Sequence, residues 1–180
     1  MTINNVPNFN EEKAIATASL LLKFSGSQCD KYWLNKVMYF VERESIISTG
    51  QPIFFDRMFS VPFGPIVSVV NDAIDFSEYP FPSEWNKHIS LKDKTVRLLE
   101  EADYDSLSEY EEELIYRLFK KFEGWGFTKL KDFFHSLPEY TETKSRVEIN
   151  YDELLSKANI DEESIKDAIQ NLSYLAWLGK

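Results

Sequence analysis

The chain has 180 residues, of which 43% are hydrophobic and 15% aromatic, a composition that provides a substantial core and argues against global disorder. Its 30 acidic residues against 20 basic ones give a formal charge of −10, which disfavours binding to nucleic-acid phosphates and to anionic lipid. The single cysteine, Cys29, excludes an internal disulfide.

The N-terminal sequence MTINNVPNFNEEKAI has neither a basic segment nor a long apolar run, so we expect no secretory signal peptide. No window approaches the roughly 18 consecutive apolar residues that a membrane-spanning helix requires. These features predict a cytoplasmic protein without a membrane partner.

The first two predicted helices are marked by capping residues. Asn10 can cap a helix whose first turn carries acidic residues and which closes at Gly26. Asp30 can cap a second helix, Asp30–Thr49, which ends at Gly50. Apolar residues recur with the helical period in both segments, so each helix is expected to bury one face.

A small β element is predicted after the second helix. The segment IFFDRMFSV, Ile53–Val61, mixes aromatic residues with a central charged pair, which suits two short strands around a tight turn or one bent strand. The Gly64-Pro65 dipeptide then predicts another helix, Pro65–Phe76, because proline is favoured at the first helical position.

The second half of the chain is predicted to be mostly helical. DFSEYPFPSEWNKH is expected to be a loop and KTVRLLE a short strand. Ser108 and Glu111 form a capping box that opens the next helix, and FTKLKDFFHSL is a further helix stopped by Pro138.

The C-terminal part is predicted to begin with an irregular polar segment that extends to Asn150. Two helices then follow, Tyr151–Asn159 and Asp161–Trp177. Together the elements predict a mainly α fold: a single compact helical domain spanning 1–180, with a small β-hairpin or short sheet inserted between helices and a short flexible N-terminus, residues 1–9.

Residues that carry catalysis or bind cofactors are scarce. Neither a Gly-rich phosphate loop nor enough cysteine and histidine for structural zinc is present, so no cofactor, metal or nucleotide is expected. Cys29 with His88 or His135 is an arithmetically possible nucleophile pair, but a small packing residue is the simpler interpretation of Cys29. His135, near a helix end, is either an acid/base or partner contact or a cation favoured by the helix dipole.

Arg43 and Asp56 are charged residues in apolar surroundings. Burying the Asp56 carboxylate without a partner is costly, so we predict a structural ion pair between the two that locks the helix to the strands. A ligand or partner role for the pair is one alternative. An enzyme built around Arg43, Asp56 and His135 is another, and it requires a concave pocket that joins all three.

The segment from Glu100 to Glu113 holds eight carboxylates and no basic residue. Two interpretations stay open. It is either a solvated loop and helix start, which the helix dipole favours, or a landing patch for a basic protein partner.

The stretch LNKVMYFVERESIISTGQPIFFDRMFSVPFGPIVSVV resembles the central motif of the Panacea domain family, the SocA-like antitoxins. That pattern is a helix of the type Lys-Leu-x-Lys-Leu-x-Tyr-Phe-Ala-Asp-Arg-Glu, then Gly-Arg-Pro-Ile, a strand containing Asp, and Tyr-Gly-Pro-Val. Three positions depart from it, since Glu42 replaces Asp, Gln51 replaces Arg and Phe63 replaces Tyr. The matching residues are Leu34, Lys36, Tyr39, Phe40, Arg43, Glu44, Gly50, Pro52, Ile53, Asp56, Pro62, Gly64 and Pro65.

The later segment SEYEEELIYRLFKKFEGWGFTKLKDFFHSLPEY is similar to the second half of the family pattern, through Leu130, His135 and Tyr140. The resemblance then extends over most of the chain, from about residue 10 to about residue 178.

The resemblance implies a non-enzymatic antitoxin of a bacterial or phage toxin–antitoxin system, which neutralises a cognate toxin by direct binding. One class of members resembles a protease adaptor that delivers its toxin for degradation. The alternative function is therefore an adaptor with an ATP-dependent protease as second partner. No added DNA-binding domain is implied, and no direct nucleic-acid partner is expected.

The candidate toxin-binding residues fall in two groups. The turn that joins the helix to the strands is predicted to expose large side chains as anchors, and the acidic helix start is predicted to attract a basic toxin over long range. The residues are Gln51, Phe54, Arg57, Phe63, Glu109, Glu111, Glu112 and Glu113.

Overall fold

The computed structural model describes residues 9–75 and 84–178. Eight helices lie in these ranges: α1 Glu11–Phe24, α2 Lys31–Thr49, α3 Ser68–Asp75, α4 Trp85–His88, α5 Glu109–Phe122, α6 Phe127–His135, α7 Tyr151–Lys157 and α8 Glu162–Leu178. Six strands lie between them: β1 Gln28–Asp30, β2 Met58–Ser60, β3 Ile66–Val67, β4 Ile89–Lys92, β5 Thr95–Leu98 and β6 Val147–Ile149. The mainly α prediction is confirmed at this level. The predicted flexible N-terminus, apart from residue 9, and Phe76 lie outside the described residues.

Local capping signals determine where the long helices begin and end. The Asn10 side chain accepts from the backbone N–H of Lys13 at 3.0 Å, and the Asp30 side chain caps α2. The predicted capping box at Ser108 opens α5, and Gly50 ends α2 in the left-handed conformation, at φ 74°. Glycine is the residue that adopts this φ with the least strain.

The β structure consists of two small antiparallel sheets, with strand orders β1–β5–β4 and β3–β2–β6. The β2–β3 pair is the predicted β element between helices, although its first strand begins at Met58 rather than at Ile53. The predicted strand in KTVRLLE is confirmed as β5. The second sheet requires β6, which lies in the segment predicted to be irregular; that prediction was wrong because Met58 pairs with Ile149.

Two further predictions are corrected. Pro65 does not start a helix: it leads into β3, and α3 begins at Ser68. Proline fits there because its fixed φ is also compatible with extended backbone. The predicted loop from 75 to 88 contains α4 at its end, and residues 76–83 lie outside the described ranges.

One connected cluster of buried apolar side chains draws residues from all eight described helices. Helix α2 runs through it, with Leu34, Val37, Met38 and Val41 fully buried. Burial on nearly all sides is unusual for a helix that also carries charged residues. Within 9–75 and 84–178, no helix is both long enough and apolar enough to cross a membrane.

Candidate functional site

Three buried charged residues of α2 each bind a different segment of the chain. Lys36, Glu42 and Arg43 are all buried, with at most 8% of each residue exposed. A buried charged group is tolerated only when its hydrogen bonds are satisfied, so the partners of these three residues reveal what the motif does.

Lys36 holds the turn that carries Phe63. Its Nζ donates to the carbonyl oxygens of Gly64 and Pro65, both at 2.8 Å, and lies 5.1 Å from the centre of the Tyr32 ring. Burial lowers the pKa of Lys36 to about 7. A neutral amine still has two N–H donors, which matches the two carbonyls it binds.

Gly64 is required at this turn for two reasons. Its φ is 95°, a conformation that residues with a side chain rarely adopt. A Cβ at this position would lie 3.2 Å from the Cβ of Phe134 and 3.4 Å from Nζ of Lys36. The glycine therefore lets the turn approach both α2 and α6 closely.

The Lys36 contact has a pH signature that can be measured. Lys36 titrates near 7 in the folded protein and near 10.5 when unfolded, so between these values the unfolded chain binds the extra proton. Stability from this residue therefore rises with pH over that window. As the pH rises, the unfolding free energy of wild type is expected to increase relative to that of Lys36→Met. The increase is up to about 1.4 kcal/mol per pH unit. Urea unfolding at pH 7, 8 and 9 measures it.

Exposed Lys92 supplies the matched control for this measurement. Lys92→Met is expected to follow wild type at every pH, since it removes a lysine without a buried contact. An unchanged difference between wild type and Lys36→Met across the three pH values would contradict a folded-state pKa near 7.

Glu42 holds the segment between α2 and β2. Its carboxylate accepts three backbone N–H groups, from Ile53 at 2.7 Å and from Phe54 and Asp56 at 3.1 Å each. Burial raises the pKa of Glu42 to about 8, and the three backbone donors act in the opposite direction. Sequence reasoning did not assign Glu42 a role, although its position in the motif was the available signal.

The predicted ion pair between Arg43 and Asp56 is replaced by two separate interactions. Asp56 accepts from the N–H groups of Val69 and Val70, both at 2.9 Å, at the N-terminus of α3. These donors are the unsatisfied amides of a helix start, which is where a carboxylate is favoured. Burial nevertheless raises the pKa of Asp56 to about 6.

Arg43 binds Glu139, a residue far away in sequence that was not considered as its partner. Arg43 Nε donates to Glu139 Oε1 at 2.6 Å, and Tyr39 Oη donates to the same oxygen at 2.8 Å. Arg43 also binds Glu44 on its own helix. Burial and the neighbouring Glu139 carboxylate hold the pKa of Tyr39 well above its ordinary value.

His135 lies close to the Gly64 turn, stacked on Tyr140 with ring centres 4.5 Å apart. Its Nε2 is buried and has no hydrogen-bond partner among the described residues. Burial lowers the pKa of His135, and the positive charges of Lys131 and Lys36 lower it further. The structure thus brings His135 near Lys36, whereas Arg43 and Asp56 are bound to Glu139 and to α3.

Cys29 is a half-buried residue at the centre of β1. Burial and the neighbouring Asp30 raise the pKa of Cys29 to about 12, so the thiol is protonated and a poor nucleophile. His88 contacts the carbonyl of Glu100, and His135 stacks on Tyr140. In the described part of the chain, no three His, Cys, Asp or Glu side chains are grouped as a metal site requires.

The prediction that Phe54 exposes its side chain near the turn is wrong, because Phe54 is fully buried. Glu42 draws the backbone of Ile53 and Phe54 inward together, so the alternation of an exposed strand does not apply. Gln51 and Arg57 are exposed, and Arg57 forms an ion pair with Glu148.

Phe63 belongs to a surface group that we call the aromatic surface cluster: Tyr32, Phe63 and Phe127. The Phe63 ring lies 6.2 Å and the Tyr32 ring 4.7 Å from the Phe127 ring. Phe63 and Phe127 are 57% and 52% exposed, and Tyr32 Oη donates to the Phe63 carbonyl at 2.8 Å. Tyr32 and Phe127 were not predicted, because only the fold brings α2, the turn and α6 together.

The acidic residues of α5 divide into two kinds. Glu109, Glu112 and Glu113 are exposed in the first turns of the helix. Glu111 is committed to structure, since it completes the capping box and binds Lys13 Nζ at 2.7 Å. Glu111 is therefore less suited to partner binding than predicted.

The buried charged residues of α2 and their partners lie in a segment that matches the model of a known protein family. The family model for the antitoxin SocA-like Panacea domain matches residues 34–140, more than half of the chain. This chain belongs to the Panacea domain family. The match includes Lys36, Glu42 and Arg43 of α2, the Gly64 turn and Glu139. No curated protein and no solved structure matches the chain.

In this Panacea domain, the central motif has a structural meaning that the family pattern alone does not reveal. Each buried charged group of α2 binds one segment: Lys36 the Gly64 turn, Glu42 the stretch before β2, and Arg43 the residues after α6. The motif thereby gives the loops around α2 a single conformation and leaves the aromatic surface cluster outside.

Proposed function

We propose that this protein is a cytoplasmic, non-enzymatic antitoxin that neutralises one cognate toxin by binding it through the aromatic surface cluster. Membership of the SocA-like antitoxin family supports the antitoxin role. The observation that carries the choice of surface is the exposure of Phe63 and Phe127, with Phe63 on a turn that the buried Lys36 holds.

Large aromatic side chains dominate the energetics of many protein interfaces. An anchor on a rigid support loses less conformational entropy on binding, so more of its burial contributes to affinity. Phe63 has such a support. Lys36 binds the carbonyls of the two residues that follow Phe63, and the Tyr32 hydroxyl donates to the carbonyl of Phe63.

The ionisable residues of the motif already have hydrogen-bond partners within the protein, which supports a non-enzymatic role. A catalytic acid, base or nucleophile must reach a substrate, whereas Glu42, Arg43 and Asp56 are engaged with the backbone or with other buried side chains. The arrangement favours a binding protein over the alternative of an enzyme at these residues.

The exposed carboxylates of α5, at Glu109, Glu112 and Glu113, have a secondary role in this proposal. With a net charge of −10 on the whole chain, they attract a basic toxin before contact. Such attraction acts mainly on the association rate and is screened by salt.

We expect Phe63→Ala to weaken toxin binding by about 30-fold or more, the loss typical of a central aromatic anchor. The candidate toxin, the product of the adjacent open reading frame, is co-purified with this protein. Its binding is then measured by surface plasmon resonance at two salt concentrations. Leu99→Ala is the matched control, because Leu99 is a comparably exposed apolar residue, at 59%, just after β5. Circular dichroism verifies that both variants are folded.

The same variants are tested for rescue of cells that express the toxin. Rescue by Leu99→Ala but not by Phe63→Ala supports the proposal. Normal affinity and rescue with folded Phe63→Ala would place the toxin-binding surface elsewhere. If rescue disappears in cells that lack an ATP-dependent protease, the protein is an adaptor and direct occlusion is excluded.

A further inference from the structure

Between α1, α2 and α5 lies an open cleft of about 340 Å³, which we call the aromatic cleft. Its walls include four aromatic side chains, Phe24, Trp33, Phe119 and Trp125, and its rim carries the carboxylates of Asp30 and Glu123. No lysine or arginine is among the described residues that line it. A cavity of this volume is at the lower end of the range for ligand sites.

The aromatic side chains of the cleft differ in exposure: Trp33 and Phe119 are buried, whereas Phe24 and Trp125 are partly exposed. The Trp33 ring lies edge-on to Phe119, with centres 6.2 Å apart, and its Nε1 already donates to the Phe122 carbonyl at 2.9 Å. An aromatic face is electron-rich, so it attracts cations. Trp125 demonstrates this attraction inside the chain, because Nζ of Lys129 lies 3.9 Å from the centre of its ring.

The two carboxylates have the same preference for a positive charge. Oδ1 of Asp30 caps α2 by accepting from the N–H groups of Tyr32 and Trp33, and its Oδ2 makes no hydrogen bond to the described residues. Glu123 is bound by Lys120 at the rim, so Asp30 is the carboxylate with an oxygen left for a ligand.

Two residues that line the cleft are close in sequence to members of the aromatic surface cluster. Tyr32 and Trp33 are consecutive residues of α2, and only Gly126 separates Trp125 from Phe127.

We propose that the aromatic cleft receives an arginine side chain of the toxin. The guanidinium stacks on the partly exposed Trp125 ring and donates to Oδ2 of Asp30. Arginine fits this combination better than lysine because its planar group stacks on aromatic rings and donates several hydrogen bonds in a fixed geometry. This inference rests on the toxin binding proposed above and identifies the chemistry of one partner residue.

The test compares a small arginine compound with an uncharged analogue of nearly the same shape. Acetyl-arginine amide is titrated into the ¹⁵N-labelled protein while the tryptophan indole N–H signals are followed, and acetyl-citrulline amide serves as the uncharged analogue. We expect saturable shifts of the Trp33 and Trp125 signals with arginine at millimolar concentration and none with citrulline. The signal of Trp85, which is buried in the core, is expected to stay in place.

Asp30→Asn is the decisive variant because asparagine caps a helix as well as aspartate does, so the fold is preserved while the charge is removed. We expect it to raise the dissociation constant of the arginine probe at least about fivefold, the effect of losing one charge-assisted hydrogen bond. Trp125→Leu is expected to weaken probe binding as well, with Trp33 as the remaining reporter. Equal shifts with arginine and citrulline, or probe binding unchanged in both variants, would overturn the inference.

The toxin itself separates this inference from the proposed function. If Phe63→Ala weakens toxin binding and Asp30→Asn and Trp125→Leu do not, the cleft inference fails and the proposed function stands. If the wild-type protein binds no toxin, the proposed function fails, and with it the assignment of the arginine to a toxin. The arginine titration then still decides whether the cleft accepts a guanidinium.

Discussion

Glu42→Ala is expected to destabilise the protein by about 3–5 kcal/mol, because it leaves three buried backbone N–H groups without an acceptor. The groups belong to Ile53, Phe54 and Asp56, and Glu42 itself is fully buried. A domain of ordinary stability has about 5–15 kcal/mol in total, so this variant loses a large part of it. Urea unfolding followed by circular dichroism measures the loss.

Two further variants make the Glu42 prediction specific. Glu42→Gln keeps one oxygen acceptor but turns an N–H₂ group toward a backbone donor, so its stability is expected to lie between wild type and alanine. Glu113→Ala removes an exposed carboxylate and is expected to change stability by less than about 0.5 kcal/mol. A loss below about 1 kcal/mol for Glu42→Ala would mean that water replaces the carboxylate without cost.

Glu139→Ala is expected to cost about 3–5 kcal/mol as well, for a different reason: it leaves the Arg43 guanidinium buried without its main counter-charge. Glu139 is fully buried and Arg43 is only 8% exposed. The same substitution removes the acceptor of the Tyr39 hydroxyl. Thermal and urea unfolding are expected to agree on the loss.

The triple variant Tyr39→Phe, Arg43→Met and Glu139→Leu distinguishes a broken ion pair from a simple cavity. Replacing a whole buried polar group by apolar side chains of similar size is often neutral, whereas removing one member is not. We therefore expect the triple variant to be more stable than Glu139→Ala alone. A triple variant that loses the sum of the three single effects would show that the residues act independently.

These two predictions bear on the proposed function because Glu42 and Arg43 lie on the same helix as Lys36, which holds the Phe63 turn. Lys36, Glu42 and Arg43 each form hydrogen bonds to a different segment, and the segment that Lys36 binds carries Phe63. A variant that loosens a loop is expected to weaken partner binding through lost preorganisation even when the aromatic residues are intact.

Local signals in the sequence determined the helical part of the fold. The caps at Asn10, Asp30 and Ser108 and the stop at Gly50 were predicted at the residues where the structure has them. Each signal acts over three or four residues, through a side chain and the backbone amides of the adjoining turn. It can therefore be read from residues that are adjacent in the sequence. The family motif was readable for a similar reason, since its residues lie in one continuous stretch that the family model covers.

Only the tertiary structure decided the partners of the buried charges. Arg43 binds a residue 96 positions away, and Lys36 binds a turn 28 positions away. Asp56 was predicted to bind Arg43, but it binds the start of α3, and Phe54 was predicted to be exposed but is pulled into the core. A buried charged side chain can pair with any complementary group that the fold brings near it. The hydrophobic periodicity of the sequence does not specify which group that is. The aromatic surface cluster and the aromatic cleft depend on the same condition, because α1, α2, α5 and α6 meet only after the chain has packed.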